Sequence, residues 1–363
     1  MTAQAKVPPA RVVRLVERIR FRLSQLSGRM VPPPIAMLEL VLGTWVSQAI
    51  QVASALDIAD ALADGPLPAA ELAKRVDADP DGVDRLMRAL VSRGVFRRGR
   101  DGRYALNALG ETLRSDIGSP MRAAGLFYGS RQQREHWTHL LEAVRTGKPV
   151  VESLRGKEFF EYLGDDPEFA GLFNDAMTGM SEMTVQPAVA AYDFSRYATI
   201  VDVGGGHGRL LAAILGATPT ARGVLYDLPD VVAKAPKLLA EFGLTERVDV
   251  QAGSFFEAVP AGGSAYVMKH IIHDWADEQA LTILRNVRAA IDPGATLLLL
   301  EFVIPDHDGD FIGKWVDLEM LVQAGGRERT AEQYRSLLAQ AGFRMTGVVG
   351  TAAPISVVEA VPV

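Results

Sequence analysis

Short apolar runs rich in β-branched residues alternate with helix-length segments from about residue 197 onward, and this alternation restricts the fold more than any other feature of the chain. The first five runs are ATIVDV, RGVLYDL, RVDVQAG, SAYVMKHI and TLLLLEF. Strands separated by helices predict βαβ units and a parallel sheet with helices on both faces. The last two runs, MTGVVGT and ISVVEAV, are separated by only three residues, which predicts an antiparallel hairpin at the sheet edge. The expected C-terminal fold is therefore α/β, with a seven-stranded mixed sheet.

A glycine-rich segment follows the first of these strands. Val203 is followed by GGGHG, four glycines within five residues, and then by a helix-forming stretch that begins at Arg209. Glycines let a backbone turn tightly and approach a ligand closely, and ligands of open α/β sheets bind outside the carboxyl ends of the strands. The next strand ends at Asp227, 21 positions after Gly206, the spacing at which a carboxylate reaches paired ribose hydroxyls. These features predict a nucleoside-containing ligand.

Two kinds of nucleoside ligand suit this segment. The dinucleotide fingerprint requires a third glycine where Arg209 stands, and it does not require the glycine at position 205. We therefore weigh a nucleoside methyl donor well above a dinucleotide.

The N-terminal part of the chain shows the 3.6-residue period of helices. Residues 8–30 predict one basic amphipathic helix, which ends at a run of three prolines. Between about 35 and 115, two short helical segments precede a strand-like VFRR, a turn and a second short strand at YAL, the order typical of a winged helix. The predicted domains are a helical, winged-helix-type domain over 1–115, a helical linker and substrate-pocket region over 116–190, and the α/β domain over 191–363.

Composition narrows the possible compartments and partners. The net charge of -6 argues against a nucleic-acid partner, and the absence of cysteine excludes disulfides and thiolate metal sites. The first 20 residues carry scattered charges without an apolar core, and the apolar runs are too short to cross a bilayer. We expect a cytoplasmic protein with no membrane or nucleic-acid partner.

Several longer motifs occur together in one order. VDVGGGHG, YDLPDVV, GSFF, MKHIIHDWADE, EFVIP and GGRERTAEQYRSLLAQAGF have the order and separations of the small-molecule O-methyltransferases, and the chain resembles that family over nearly its whole length. The family includes caffeate-type and hydroxyindole enzymes and many bacterial tailoring enzymes. The resemblance implies a Rossmann-like domain that binds S-adenosylmethionine and releases S-adenosylhomocysteine. It also implies a homodimer formed through the N-terminal domain, which the amphipathic first helix supports.

The resemblance implies which residues bind this cofactor. The glycine segment matches the loop around the methionine part, and Asp227 matches the acid that binds the ribose. Ser254 stands where the family usually has the Asp that meets the adenine amino group, and its hydroxyl can accept the same hydrogen bond. The implied set is Asp202, Gly204, Gly206, Asp227, Leu228, Gly253, Ser254, Phe255, Phe256 and Lys269.

The same matches imply the catalytic residues. His273, in the HDW signature, matches the general base; Glu301 and Glu328 match the acids that flank and orient it, and Asp274 is a weaker candidate. A phenol has a pKa of about 10 and is a poor nucleophile while protonated, whereas a neutral histidine, with a pKa of about 6.5, accepts a proton near neutral pH. A carboxylate on the other ring nitrogen fixes the tautomer and stabilises the imidazolium.

The expected substrate is a small aromatic or polycyclic natural product with a hydroxyl. The segment FNDAM matches a family segment near substrate and cofactor, and residues 120–190 and 307–327 are expected to form the pocket. An apolar site favours the reaction because an anion and a sulfonium cation neutralise each other. The predicted pocket residues are Phe173, Asn174, Met177, Met180, Trp275 and Met320.

Three other interpretations stay open at this point. Residues 69–108 allow a winged-helix regulator, although the second helix of that segment mixes acids with arginines. Some relatives of the family use the cofactor in hydroxylation or decarboxylation instead of methyl transfer. His270 and His273 could share a metal, but no other histidine is near and no acidic cluster suited to Mg²⁺ surrounds the HDW signature, so we expect no metal site.

Overall fold

The structure, a computed structural model, describes residues 7–117 and 121–363. The other positions belong to the predicted N-terminal domain and to the predicted linker, and these parts of both predictions lie outside the described residues.

The chain divides into two compact units. The helical unit consists of residues 22–141 and 154–183. The sheet unit consists of the residues up to Phe21, of 142–153 and of 184–363. The predicted divisions at 115 and 190 stay predictions.

Helices dominate the chain as far as residue 191. The first are α1 (Ala10–Arg29), α2 (Pro33–Val41), α3 (Gly43–Ala55), α4 (Ile58–Ala61), α5 (Ala69–Arg75) and α6 (Pro80–Ser92). An antiparallel pair follows, formed by β1 (Arg97–Arg98) and β2 (Tyr104–Ala105). Next come α7 (Ala108–Glu111), α8 (Met121–Tyr128), α9 (Arg131–Thr138), α10 (Leu140–Thr146), α11 (Val151–Arg155), α12 (Phe159–Asp165) and α13 (Pro167–Ala191).

Helix α6 shows why these segments are helical. Asp79 caps its N-terminus, where the Asp79 carboxylate accepts a hydrogen bond from the backbone N–H of Gly82 at 2.8 Å, and proline occupies the first helical position. Val83, Met87 and Leu90 fall on one face and are buried. Each such side chain stabilises the fold by about 1.5–3 kcal/mol relative to an exposed one. A local cap and a buried stripe therefore specify this helix.

The C-terminal part alternates strands and helices, as the sequence predicts. Its strands are β3 (Thr199–Val203), β4 (Arg222–Asp227), β5 (Val248–Ala252), β6 (Ala265–Lys269), β7 (Thr296–Ile304), β8 (Arg329–Thr330), β9 (Phe343–Gly350) and β10 (Ile355–Pro362). Its helices are α14 (Arg209–Ala217), α15 (Pro229–Val232), α16 (Ala235–Glu241), α17 (Asp277–Ala290), α18 (Ile312–Gln323) and α19 (Ala331–Gln340).

The strands form one mixed sheet. Their order is β5-β4-β3-β6-β7-β10-β9, and the short β8 pairs with β7. The pairs β5–β4, β4–β3, β3–β6 and β6–β7 are parallel, whereas β10 is antiparallel to both β7 and β9. The predicted seven-stranded mixed sheet and its terminal antiparallel hairpin are confirmed, with β8 as a two-residue addition.

Strand β7 is buried on both faces because helices cover both sides of the sheet. Its residues 297–300 are all leucine and all buried. Leu298 and Leu300 belong to one apolar cluster and Leu297 and Leu299 to another, as the two-residue period of a strand requires. Glu301 continues this strand and is fully buried as well. A buried carboxylate needs hydrogen-bond partners, and the partners of Glu301 belong to the candidate active site described below.

One part of the described chain is long and apolar enough to cross a membrane by length and composition alone, the stretch Pro33–Ala55. No residue of its candidate membrane-spanning window is buried, and buried helices or signal sequences can pass the same test. The sequence-based expectation of short apolar runs missed this stretch because Glu39, Ser47 and Gln48 interrupt it.

Candidate active site

The glycine segment, residues 204–208, adopts backbone angles that other residues rarely tolerate. Gly204, Gly206 and Gly208 have φ values of 69°, 61° and 86°. A Cβ at position 204 would lie 2.6 Å from Cδ1 of Ile271, and one at position 205 would lie 2.5 Å from Cδ1 of Leu225. The segment therefore needs glycine both for its conformation and for its close packing.

Asp227 lies at the carboxyl end of β4, beside the glycine segment. The backbone N–H of Gly206 donates to Asp227 Oδ2 at 2.8 Å, and the N–H of Leu228 donates to Oδ1 at 2.7 Å. Burial raises the pKa of Asp227, and these two hydrogen bonds oppose the rise. The carboxylate is thus held at the end of the strand, where a ribose would bind.

Two residues of neighbouring strands that can carry opposite charges, the buried Asp202 and the half-buried Lys269, lie next to the glycine segment. Burial raises the pKa of Asp202 to about 7 and lowers the pKa of Lys269 to about 8, and each residue's charge opposes the other's shift. Asp202 Oδ2 has no hydrogen-bond partner among the described residues. A buried acceptor without a partner suits a ligand that brings a donor, such as an ammonium group.

The residues predicted for the adenine follow β5. A Cβ at Gly253 would lie 2.4 Å from the hydroxyl oxygen of Tyr226, so glycine is required there. Phe256 packs edge-on against Trp275, with ring centroids 4.7 Å apart. Trp275, predicted for the substrate pocket, therefore contacts a phenylalanine that was predicted for the cofactor.

His273 lies on a short turn directly after β6, and residues 271–275 are named the His273 turn here. The ring is nearly buried, with 9% of the side chain exposed. Its Nδ1 lies 2.6 Å from Glu328 Oε1, and its Nε2 lies 3.3 Å from Asp274 Oδ1. The structure thus brings together the predicted base, its predicted orienting acid Glu328 and the weaker candidate Asp274.

Glu301 accepts hydrogen bonds from the backbone of the turn and not from the ring of His273. Its Oε1 accepts hydrogen bonds from the N–H groups of Ile271 and Ile272, at 3.2 and 2.9 Å. The histidine nitrogen that lies 4.0 Å from Glu301 Oε2 belongs to His270. Of the two acids that the resemblance places around the imidazole, Glu328 therefore contacts the ring, whereas Glu301 contacts the backbone of the turn that carries it.

Three carboxylates control the protonation of His273. Burial alone would lower the pKa of His273, but the charges of Asp274, Glu328 and Glu301 raise it to about 10. Burial also raises the pKa of Asp274 to about 6 and that of Glu301 to about 7, and the charge of His273 opposes both shifts. The protein without ligands therefore holds His273 protonated near neutral pH. The carboxylates that raise this pKa come from three separate segments, and the sequence shows neither their number nor their distances.

His270, directly before the His273 turn, has a strained backbone conformation. Its φ is 53°, which is uncommon for a residue with a side chain. Ligand atoms of His270, His273 and Glu301 lie within 4.8 Å of one another. Both nitrogens of His273 already face Glu328 and Asp274, so metal binding would disrupt that arrangement. The predicted absence of a metal site stays a prediction.

Helix α13 carries four of the other predicted pocket residues. Phe173 packs with Phe127 and Phe159 at centroid distances of 5.6 and 5.4 Å, and the hydroxyl of Tyr128 lies 3.8 Å from the sulfur of Met180. Asn174 is exposed, and Met177 is half-buried. In the sheet unit, Met320 of α18 is half-buried. Assignment of these residues to a substrate pocket stays a prediction.

Sequence reasoning missed Arg329. Its side chain is 1% exposed and contacts the His273 turn. The GGRERT motif drew attention to Glu328 alone, and an arginine in a motif rich in charges gives no sign that it is buried. A buried charge becomes visible only in the structure.

Comparisons with known families match two parts of the chain. An O-methyltransferase dimerisation domain matches residues 38–116, and an O-methyltransferase domain matches residues 137–344. The first match includes most of the exposed apolar stretch Pro33–Ala55. The second includes the glycine segment, the His273 turn and Glu328.

Individual relatives cover most of the chain. Phenazine O-methyltransferase PhzM of Lysobacter antibioticus is 40% identical over 333 residues, which are 92% of this chain and 97% of that protein. A solved O-methyltransferase of neocarzinostatin biosynthesis, in complex with S-adenosylmethionine and 2-hydroxy-5-methyl naphthoic acid, has a TM-score of 0.75 and 34% identity and covers 87% of this chain and 96% of that chain. Aclacinomycin 10-hydroxylase RdmB of Streptomyces purpurascens is 34% identical over 302 residues, 82% of this chain and 81% of that protein.

Proposed function

The chain belongs to the O-methyltransferase family that uses S-adenosylmethionine, and from that premise we propose that it methylates a hydroxyl of a small aromatic natural product with His273 as the general base. One observation carries this proposal: the imidazole of His273 is held 2.6 Å from Glu328 on a turn that packs against the glycine segment. The aromatic substrate class is supported by the phenazine and naphthoic acid in the names of the relatives.

S-Adenosylmethionine supplies an electrophilic methyl group on a positively charged sulfur. The residues present fit it. Asp202 Oδ2, which lacks a partner among the described residues, can accept from the amino group of the methionine part, and Asp227 can accept from the ribose hydroxyls. Phe255 and Phe256 offer aromatic faces to the adenine, and Ser254 offers a hydroxyl.

His273 takes the proton of the acceptor hydroxyl. The proton moves to Nε2 while Nδ1–H donates to Glu328, which stabilises the imidazolium. With S-adenosylmethionine bound by the residues named above, the deprotonated oxygen would accept its methyl group, and the electron pair of the broken carbon–sulfur bond would stay on the sulfur as a neutral thioether. A positive sulfonium near the ring favours the neutral form of His273, so cofactor binding offsets part of the effect of the three carboxylates.

The raised pKa makes His273 a strong base, but only the neutral ring can accept a proton, and few rings are neutral near pH 7. A pKa of about 10 leaves about one ring in a thousand neutral at pH 7 in the free protein. Because a phenol also has a pKa of about 10, the free energy of proton transfer from the phenol to the neutral ring is close to zero. The arrangement therefore favours reaction above neutral pH.

Isotope transfer from labelled S-adenosylmethionine to a panel of phenols tests the role of His273. We expect His273→Ala to lose label transfer by about 10²- to 10⁴-fold, while S-adenosylhomocysteine binds as in the parent protein by calorimetry. Transfer at the parental rate with His273→Ala would remove the base from the mechanism.

Hydroxylation is the second candidate, because RdmB is a relative of this chain and is named a hydroxylase. The close contact between His273 and Glu328 favours methyl transfer, since a proton acceptor next to the acceptor oxygen serves that reaction. Mass spectrometry of the products separates the two: methylation adds a CH₂ unit and hydroxylation adds an oxygen atom.

We also propose that the exposed apolar side chains of α1 to α3 meet a second copy of the chain in the cytoplasm, without a membrane or nucleic-acid partner. Leu15, Ile19, Leu40 and Trp45 are each at least about half exposed, and the end of α2 and all of α3 fall in the dimerisation match. Analytical ultracentrifugation should show a dimer. A monomer at micromolar concentration, or binding of the intact protein to liposomes, contradicts this assignment.

A further inference from the structure

We propose that Arg329 is a positioning residue for the reaction: its guanidinium joins the two ends of the His273 turn and thereby sets the direction of the imidazole. This inference rests on the proposed function, because it presumes that His273 acts on the substrate. It goes further by identifying what keeps the ring in place.

The guanidinium bridges the turn directly. Arg329 Nη1 donates to the carbonyl of Ile272 at 3.0 Å, and Nη2 donates to the carbonyl of Trp275 at 3.0 Å. These carbonyls lie immediately before His273 and two positions after it. Nη2 and Nε also donate to Asp277 Oδ1, at 2.6 and 3.1 Å, which anchors the guanidinium at the start of α17.

Two other segments also form hydrogen bonds with the turn. Glu301 accepts from two N–H groups at its beginning, and the backbone N–H of Arg327 donates to the carbonyl of His273 at 2.8 Å. A Cβ at Gly326 would lie 2.1 Å from that same carbonyl oxygen, so the backbone at 326 lies directly against the turn. Arg329 is the side chain that spans from the residue before the imidazole to the residues after it.

Stability alone does not account for an arginine at this position. A buried charge is costly to desolvate, and an apolar side chain of similar volume commonly fills such a site at no loss of stability. The planar guanidinium has five donors in a fixed fork, which bonds to three carbonyls and one carboxylate at once. A lysine ammonium is a point donor on a flexible chain and cannot reproduce that geometry. The contacts of Arg329 therefore suit a residue that fixes the direction of the His273 imidazole.

The consequence for the reaction is geometric. Nδ1 of His273 meets Glu328 at 2.6 Å only while the turn keeps its present conformation. A turn released at its two carbonyls would let the ring rotate or shift, and a misplacement of about 1 Å costs about 100-fold in rate. Binding of the cofactor depends on other residues and should not change.

Arg329→Gln is the central test, with Arg329→Lys as the conservative variant and Arg335→Gln as the control. Arg335 is an exposed arginine of the following helix that pairs with Glu332. We expect Arg329→Gln to lower kcat by about 100-fold without a change in KM for the acceptor or in S-adenosylhomocysteine affinity. Arg329→Lys should lower kcat by about 10-fold. Parental kcat in both Arg329 variants overturns the proposal.

A second readout separates positioning from a mere loss of charge. The chain has six histidines, so labelled imidazole signals can be resolved by NMR and that of His273 assigned with His273→Ala. Removal of a nearby positive charge would by itself raise the pKa of His273, whereas separation of the ring from Glu328 lowers it. We expect a lower pKa in Arg329→Gln; a higher one overturns the positioning role.

Asp277→Asn keeps the inference testable if Arg329→Gln does not fold. Asp277 is more than half exposed, so its replacement is tolerated, and it loosens the anchor of the guanidinium. We expect a several-fold fall in kcat with unchanged KM, and parental kcat contradicts the proposal. If His273→Ala keeps its activity, the proposed function is refuted. If His273→Ala is inactive but the Arg329 variants have parental activity, only the positioning role of Arg329 is refuted.

Discussion

The glycine segment and the His273 turn are in contact but are built in different ways. The glycine segment owes its backbone conformation to its own residues, since three of its glycines have positive φ. The His273 turn owes its shape to Glu301 from β7 and to Glu328 and Arg329 from the segment before α19. A binding loop can thus be encoded locally, while a catalytic geometry depends on distant side chains.

The largest expected effect distinguishes Glu328, which contacts the imidazole, from Glu301, which contacts the backbone of the turn. Glu328→Gln should lower kcat by about 10³- to 10⁴-fold, because an amide cannot stabilise the imidazolium. Glu301→Gln should lower it about 10-fold or less, because the amide oxygen still accepts from the two backbone N–H groups. Steady-state kinetics of both variants decides the matter. Equal losses would show that both acids act on the ring.

The pH dependence should follow the carboxylates around the turn. The pKa of His273 in the free protein is raised to about 10, so kcat/KM should increase about 10-fold per pH unit above pH 7 and level off near that value. Asp274→Asn removes one of the charges that raise the pKa of His273, so the profile should shift to lower pH. Profiles measured with a neutral, non-ionising acceptor exclude titration of the substrate, and a flat profile contradicts the raised pKa.

A methyl group at Gly204 should damage cofactor binding more than catalysis. The strain of positive φ and the clash with Ile271 amount to about 1–3 kcal/mol, or about 10- to 100-fold in the dissociation constant of S-adenosylhomocysteine. Gly216→Ala is the matched control, because Gly216 lies in α14 and its Cβ would meet nothing within 4 Å. Calorimetry should show weaker binding in the first variant and parental binding in the second.

The smallest effect concerns the adenine. Ser254→Asp introduces the acid that the family usually has, and a carboxylate accepts a stronger hydrogen bond than a hydroxyl. We expect the binding free energy of S-adenosylhomocysteine to become more favourable by about 1 kcal/mol, which is several-fold tighter binding. Weaker binding would place the side chain of residue 254 away from the adenine amino group.

The sites differ in how far the sequence could predict them. Asp227 was found from its spacing to Gly206, and the structure places the two in direct hydrogen bond. His273 and Glu328 were found by resemblance, and the structure brings them together. The contact of Glu301 with backbone N–H groups, the burial of Arg329 and the protonation of His273 were not predicted, since each depends on residues far apart in the chain.

The sequence by itself determined the order of strands and helices, the mixed sheet, the glycine segment and the family of this protein, because periodicity, glycine conformations and motif spacings are properties of consecutive residues. Only the tertiary structure decided which carboxylate touches the imidazole, which holds its backbone and how strongly the ring binds its proton. Hydrogen bonds and pKa values depend on distance and desolvation, and both arise only when β6, β7 and the segment before α19 come together.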